Sequence, residues 1–478
     1  MRAARLRPSV LSLAFAGLSC AAALSACATL PPPAPARLAK PPQAYAAAQS
    51  LAGPARDWPA DAWWTAYGDA QLNTLMDEAL AGSPTLAVAQ ARVRKAEAQE
   101  MRGRLLPTLS ANAAVQEQKQ SYNLGIPRAF VPHGYNDYGR VTLDFNWELD
   151  FWGKNRAAVA AAISETRAAA AEAAEARLLL ATNLVAAYAD LARLYAERDV
   201  AERALSVQGE TSKLVSDRVA NGLDTLAEQR QAEANPLQAR ADVAALDELI
   251  ALTRNQLAAL AGAGPDRGLA IARPAIAGLK PLGVPAQLAA SLVGRRPDVA
   301  AARWRAEAAA QRIHEARAAF YPDVNLAAFV GVQSLFLNKL AAAGSDIGSV
   351  GPAVTLPIFD GGRLKAGLRG AEADRDAAVA SYDEALTEAL RQVADVLASG
   401  RALLGELADS RAALAASEDA YRIARLRYEG GLSTYPAVLL AEQQVLQRRR
   451  IVADLQARAF TLDVQLVRAL GGGYRAAS

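Results

Sequence analysis

Between Val141 and Phe151 every odd position is apolar (Val141, Leu143, Phe145, Trp147, Leu149, Phe151), and every even position is polar (Thr142, Asp144, Asn146, Glu148, Asp150). A period of two predicts a strand with one greasy and one wet face. Leu109, Ala111, Ala113 and Val115 after Pro107 predict a weaker partner strand, and two more are predicted from Val324 to Val332 and from Val350 to Ile358. Pro352 and Pro357 argue against an unbroken hydrogen-bond ladder at those two positions, although strand ends tolerate them. The four strands are expected over about 107–123, 138–152, 322–334 and 347–359. A tilted membrane strand needs about 9 to 11 residues. Trp147, Phe151 and Trp152 cluster where such a strand would leave the bilayer, as rim aromatics. Four strands cannot close a barrel, and lipid does not tolerate open edges. These strands must pool with those of other copies or stay out of the membrane.

The rest of the pattern is helical. Residues 156–219 contain no proline and one glycine, and Leu180, Leu184, Ala187, Leu191 and Leu194 keep the four-three spacing of a coiled-coil seam. The stretch predicts roughly 95 Å of helix. Leu364 to Glu429 is its counterpart, and shorter helical segments flank each: Pro84–Leu106 with Leu223–Ala261, and Pro297–Phe320 with Ser433–Leu470. Asn221 with Gly222, and Gly430 with Gly431, supply turns that accept a left-handed conformation. Asp224 and Ser433 then stand where an N-cap is wanted. Pro236 should kink its helix, whereas Pro436 falls in a tolerant first turn.

These elements occur twice. Arg218, Gly222, Leu223 and Thr225 recur as Arg427, Gly431, Leu432 and Thr434 at an offset of 209 residues. Gly153 and Lys154 recur in kind as Gly362 and Arg363, Pro84 as Pro297, and Pro107 as Pro322. The period is far longer than the roughly 20 to 50 residues of a solenoid repeat. It implies an internal duplication of one large unit in a mainly α chain with a small β part.

The chain opens with Arg2, Arg5 and Arg7 ahead of an apolar stretch from Ser9 to Ala26, the layout of an export signal. Without those arginines the 52 Lys and Arg become 49, equal to the 49 Asp and Glu, so nothing supports nucleic-acid binding. Removal of the signal leaves Cys27 as the sole cysteine, which excludes an internal disulfide. Residues 27–54 are rich in Pro and Ala and read as an extended tether. The best candidate for a transmembrane helix, Leu178 to Tyr188, is stopped by Asp190 and Arg193. His133 and His314 cannot build a metal site with one cysteine, and no phosphate-cradling loop is present. No cofactor, metal or catalytic constellation is expected.

Several segments carry a family resemblance. They are Trp63, Trp64 and Tyr67; Trp147 through Lys154; Arg295, Arg296, Pro297 and Asp298; Pro357 through Arg363; and Arg427 through Tyr435. With these in order along nearly the whole chain, the sequence resembles the outer-membrane factors of the TolC superfamily, in the lipoprotein branch of efflux-system proteins (NodT-like and OprM-like). Leu24-Ser25-Ala26-Cys27 likewise resembles a lipobox, which implies lipidation of Cys27, and Ala28 after it favours the outer membrane.

The resemblance implies a homotrimer whose twelve strands form one transmembrane β-barrel above a long-helix α-barrel. It would be a passive exit channel docking on a periplasmic adaptor and an inner-membrane efflux pump, and not an enzyme. The resemblance places a periplasmic gate at the helical tips, with Tyr428 bonded to Glu228 and with Asp224 or Glu429 as tip charges; Leu440 stands where relatives often carry an aspartate. Gly222, Leu223, Gly431 and Leu432 would be the adaptor-docking turns. A type I protein-secretion duct and a periplasmic coiled-coil lipoprotein without a pore remain alternatives. The expected domains are a signal (1–26), the lipidated tether (27–54), a first repeat (55–262), a linker and equatorial segment (263–296), a second repeat (297–472) and a tail (473–478).

Overall fold

A computed structural model of the chain describes residues 30–100, 102–123, 126–275, 282–285 and 288–476. The signal and Cys27 lie outside them. In chain order the elements are α1 (Ala70–Gly82), α2 (Pro84–Gln99), β1 (Thr108–Gln118), β2 (Asn136–Glu148), α3 (Lys154–Ala220), α4 (Leu226–Leu260), α5 (Asp266–Leu269), α6 (Leu288–Arg295), α7 (Pro297–Ala318), β3 (Asp323–Ser334), β4 (Asp346–Thr355), α8 (Arg363–Glu429) and α9 (Tyr435–Ala469). The order helix, two strands, 67-residue helix, 35-residue helix occurs twice, as α2-β1-β2-α3-α4 and α7-β3-β4-α8-α9. No described helix is long and apolar enough to cross a membrane.

Two compact units contain these elements. One takes in the chain up to Leu38, Lys95–Arg167 and Arg303–Ala380; the other takes in Ala39–Arg94, Ala168–Ala302 and the chain from Ser381. The first unit holds the sheet, antiparallel throughout in the order β1-β2-β3-β4. Its register aligns the side chains by kind. Leu109, Phe145, Ala328 and Val350 form one cross-strand row and Ala111, Leu143 and Val330 another, on the same face. On the opposite face Asn112 and Thr142 both donate to Asp144, at 2.8 Å each. Leu109, Val115, Val141, Leu143, Val330, Val350 and Val354 are exposed, while Thr142 is buried. The apolar side of the sheet is therefore bare.

The strands end earlier than the alternation predicts. β2 stops at Glu148, short of the expected 152, because Asp150 turns back to cap α3: its carboxylate accepts from the N–H groups of Asn155 and Arg156 at 3.2 and 2.9 Å. Asp360 does the same for α8, accepting from Gly362 at 3.0 Å and Leu364 at 2.6 Å, so β4 ends at Thr355 and not at 359. β1 ends at Gln118 instead of 123. Phe151 and Trp152 consequently sit in the turn after β2, not in it. Trp152 stacks on Tyr321 at 4.7 Å and donates to the Pro322 carbonyl at 2.9 Å, whereas Trp147 stays in the strand and donates to the Leu105 carbonyl at 3.2 Å.

Part of the segment expected as an extended tether is held along α8. In this unit the Ala34 N–H donates to Glu372 at 3.4 Å and the Arg37 N–H to Asp376 at 3.1 Å, while Arg369 and Arg375 return hydrogen bonds to the carbonyls of Pro32 and Arg37.

The second unit is built on helix seams. Leu184, Val185, Tyr188 and Leu191 of α3 are fully buried against Leu72, Leu75 and Met76 of α1 and Leu257 of α4. Leu386, Ala389 and Val393 of α8 are buried against Leu292 of α6 and Leu466 of α9. Helix α1 is absent from the elements expected above. Asp69 caps it, accepting from Gln71 and Leu72, and also receives the Tyr188 hydroxyl at 2.7 Å. Helix α4 remains one helix through Pro236, the position expected to kink it.

A Cβ added at Gly331 would lie 2.1 Å from the Val141 carbonyl oxygen, a backbone atom that cannot step aside without opening the β2–β3 ladder. Gly331→Ala is expected to cost about 1–3 kcal/mol, as overpacked sites do. Thermal unfolding in detergent checks this, and an unchanged midpoint would refute the close approach.

Candidate functional site

The two turns predicted to matter lie in the second unit, and both close their helices in the same way. At the end of α3, Gly222 is left-handed (φ 73°), its N–H bonds the Val219 carbonyl at 3.0 Å, and the Leu223 N–H bonds the Arg218 carbonyl at 2.9 Å. At the end of α8, Gly431 (φ 71°) bonds Tyr428 at 3.0 Å and Leu432 bonds Arg427 at 2.7 Å. This is the Schellman arrangement, which satisfies the last carbonyls and requires a residue that tolerates positive φ. Leu223 and Leu432 are left exposed at the tips.

The caps that follow fall one residue beyond the expected ones. Thr225, not Asp224, caps α4; its hydroxyl accepts from the Glu228 N–H at 3.3 Å and Glu228 reaches back to the Thr225 N–H at 2.8 Å, a reciprocal capping box. Thr434, not Ser433, stands at the start of α9, without a side-chain cap. Glu228 is thereby committed to its own helix end.

Asp224, released from capping, turns inward. Its carboxylate takes a bidentate contact from Arg218 at 2.9 and 3.4 Å and a short hydrogen bond from the Tyr428 hydroxyl. The Arg218 guanidinium lies over the Tyr428 ring, 4.4 Å from its centroid, and donates to the Tyr428 carbonyl at 3.2 Å. Tyr428 is fully buried, and only 6% of the Asp224 side chain is accessible. The expected pairing of Tyr428 with Glu228 is thus replaced by Tyr428 with Asp224. Behind it Tyr435 packs 6.1 Å from Tyr428 and accepts from Asn235 of α4 at 2.9 Å. Glu429 pairs outward with Arg425 at 2.9 Å.

The electrostatics agree with this geometry. Burial, and then the hydrogen bond to Asp224, push the Tyr428 phenol well above its ordinary range, so it stays a donor at every physiological pH. The bond to Asp224 holds the Arg218 guanidinium protonated. Sequence reasoning used Arg218 only as a repeat marker; an arginine six residues before an aspartate across a tight turn is the signal it left unread. Among the described residues, no group of three or more His, Cys, Asp or Glu could hold a metal.

The architecture can now be set beside known proteins. The profile of the family described as outer membrane efflux protein matches residues 75–263 and 288–472. The chain belongs to that family. It is 32% identical over 431 residues to the multidrug resistance outer membrane protein MdtP of Escherichia coli (strain K12), a match covering 88% of each chain. It is 39% identical over 323 residues to the fusaric acid resistance protein FusA of Burkholderia cepacia, which covers 66% of this chain and spans 60% of that protein. The crystal structure of the outer membrane protein VceC of Vibrio cholerae superposes with a TM-score of 0.82 at 45% identity, over 87% of this chain and all of that one. As an outer membrane efflux protein, the chain is an exit channel of an efflux system. Channels of this family are not enzymes.

Tyr428→Phe deletes the donor that joins the second repeat's turn to the first repeat's carboxylate. A hydrogen bond to a charged group is worth about 1.5–3 kcal/mol. Native-state hydrogen exchange over residues 426–436 should show a loss of that size; unaltered protection would contradict the assignment.

Proposed function

We propose that three copies of this chain form one passive conduit, with a lock at each protomer's paired helix ends. The observation that carries this reading is the sheet: it bares an apolar face and leaves the outer edges of β1 and β4 without partners among the described residues. In lipid every backbone polar group must be paired, and closure into a barrel achieves that. Joining β1 of one copy to β4 of the next pairs both edges and yields twelve strands with the apolar rows outward.

Within each protomer the lock is Arg218, Asp224 and Tyr428. It ties the α3–α4 turn of the first repeat to the end of α8 in the second, so the helix ends cannot part unless the carboxylate loses its donors. The exposed Leu223 and Leu432 beside Gly222 and Gly431 offer apolar contacts to a helical hairpin of a periplasmic adaptor, which would link the channel to an inner-membrane pump. Nothing in this scheme requires a cofactor. Cys27, ahead of the arm along α8, is the proposed lipid anchor in the outer membrane.

In planar bilayers the purified protein should conduct, and Tyr428→Phe combined with Asp224→Asn should raise single-channel conductance or open probability. A double variant indistinguishable from the parent would remove the lock, and absence of any conductance from the parent would remove the channel. Labelling with radioactive palmitate should tag the full chain and should be abolished by Cys27→Ala; equal labelling of both would place the lipid elsewhere or nowhere.

A further inference from the structure

One carboxylate near the lock is not used by it. Tyr435, Val438, Glu442 and Val445 of α9 follow the three-four spacing of a buried seam and are all buried; Glu442 is only 3% exposed. An acidic side chain there occupies a position that a helix seam ordinarily gives to an apolar residue. The offset of 209 that relates the repeats makes Glu233 its counterpart. Glu233 is served by Gln229 at 3.0 Å and Arg230 at 2.7 Å. Glu442 has less help: the side chain of Gln208 is a hydrogen-bond partner, but its Oε1 is buried and makes no hydrogen bond.

Its surroundings are polar yet do not neutralise it. Helix α8 presents Tyr421, whose hydroxyl is likewise buried without a partner, and Arg425, which is engaged by Glu429 at 2.9 Å and Glu210 at 3.9 Å. Helix α3 presents the amide of Gln208, its Oε1 also unpartnered, and the uncharged Thr211. On α9 itself Tyr435, two turns earlier, senses its charge and receives Asn235 from α4, and the Arg449–Glu418 pair at 2.7 Å lies two turns on. Three of the buried polar atoms that lack a partner thus face one seam. An ionised carboxylate without a committed cation is expensive in such a place, while a protonated one is a donor among waiting acceptors.

We propose that Glu442 is a proton-binding site: as a neutral carboxyl it keeps the seam of α3, α8 and α9 closed near Gly431, and it loosens that seam on releasing its proton to water. Burial raises its affinity for the proton above that of an ordinary glutamate, opposed only in part by the Gln208 hydrogen bond and by the charge of Arg425. The packed state therefore binds more protons than the loosened state. The seam is at full strength below the ordinary glutamate range, and it weakens as pH climbs from there through the raised value. Mild acid tightens this end of the helices, and mild alkali relaxes it.

The test is hydrogen exchange on the full-length protein in detergent, at about pH 5 and about pH 8, corrected for intrinsic rates and read over residues 431–446. The parent should lose protection between the two conditions by about tenfold for each unit of raised pKa that is traversed. Glu442→Gln, neutral at both, should show the same protection at both. Glu442→Leu, a neutral residue without hydrogen-bonding groups, should also be pH-insensitive whatever its absolute stability. A parent profile that is flat, or one that Glu442→Gln reproduces, would overturn the assignment. Because exchange is read on the helices themselves, the outcome is independent of whether the tunnel conducts.

Discussion

A strand that meets hydrocarbon must have every backbone N–H and C=O paired. The order β1-β2-β3-β4 leaves two edges unpaired among the described residues, and the row Leu109–Phe145–Ala328–Val350 lies on a bare face. In the proposed assembly, neighbouring copies pair those edges. The chain itself fixes the strands' lower ends. Asp150 and Asp360 stop β2 and β4 by capping α3 and α8, so the switch from period two to period 3.6 occurs within a few residues in both repeats. Lys154 bridges Glu148 at 2.7 Å and Asp323 at 3.1 Å, which ties the base of β2 to that of β3.

The repeats share their backbone and differ in what they do with it. Both long helices end on a left-handed glycine with matching hydrogen bonds, but the side chains around the turns have diverged. The first repeat contributes Arg218 and Asp224, and the second contributes Tyr428 and Tyr435. The first has the Thr225–Glu228 box, whereas Ala437 leaves the second without one. One turn supplies charge and the other aromatic surface, and the two interlock through Arg218, Asp224 and Tyr428.

Much of this was legible in the sequence, and the exceptions have identifiable causes. The alternation from Val141 placed β2 and its faces, and the four-three spacing of Leu180 to Leu194 placed the α3 seam. The alternation also continued through Leu149 and Phe151, where it no longer marked a strand, because a capping aspartate outweighs a two-residue pattern. Asp224 and Thr225 are both good caps in isolation; Glu228, three residues beyond Thr225, decided between them. That choice freed Asp224 for Tyr428 and committed Glu228, the partner the resemblance implied, to its own helix end. Helix α1 was written in Leu72, Leu75, Met76 and Ala79, but thirteen residues ahead of a proline-started helix gave no long period to stand out.

The N-terminal arm has a pitch of its own. Ala34 and Arg37 are three residues apart and Glu372 and Asp376 are four, which are one turn of a polyproline-type strand and one turn of an α-helix. An extended segment from position 27 to Ala34 reaches at most roughly 25 Å. With the proposed lipid on Cys27, that reach is the longest leash from the lipid to the contact of Ala34 with α8. In that proposed arrangement the arm would set the height at which the protein sits in its membrane as well as hold it there.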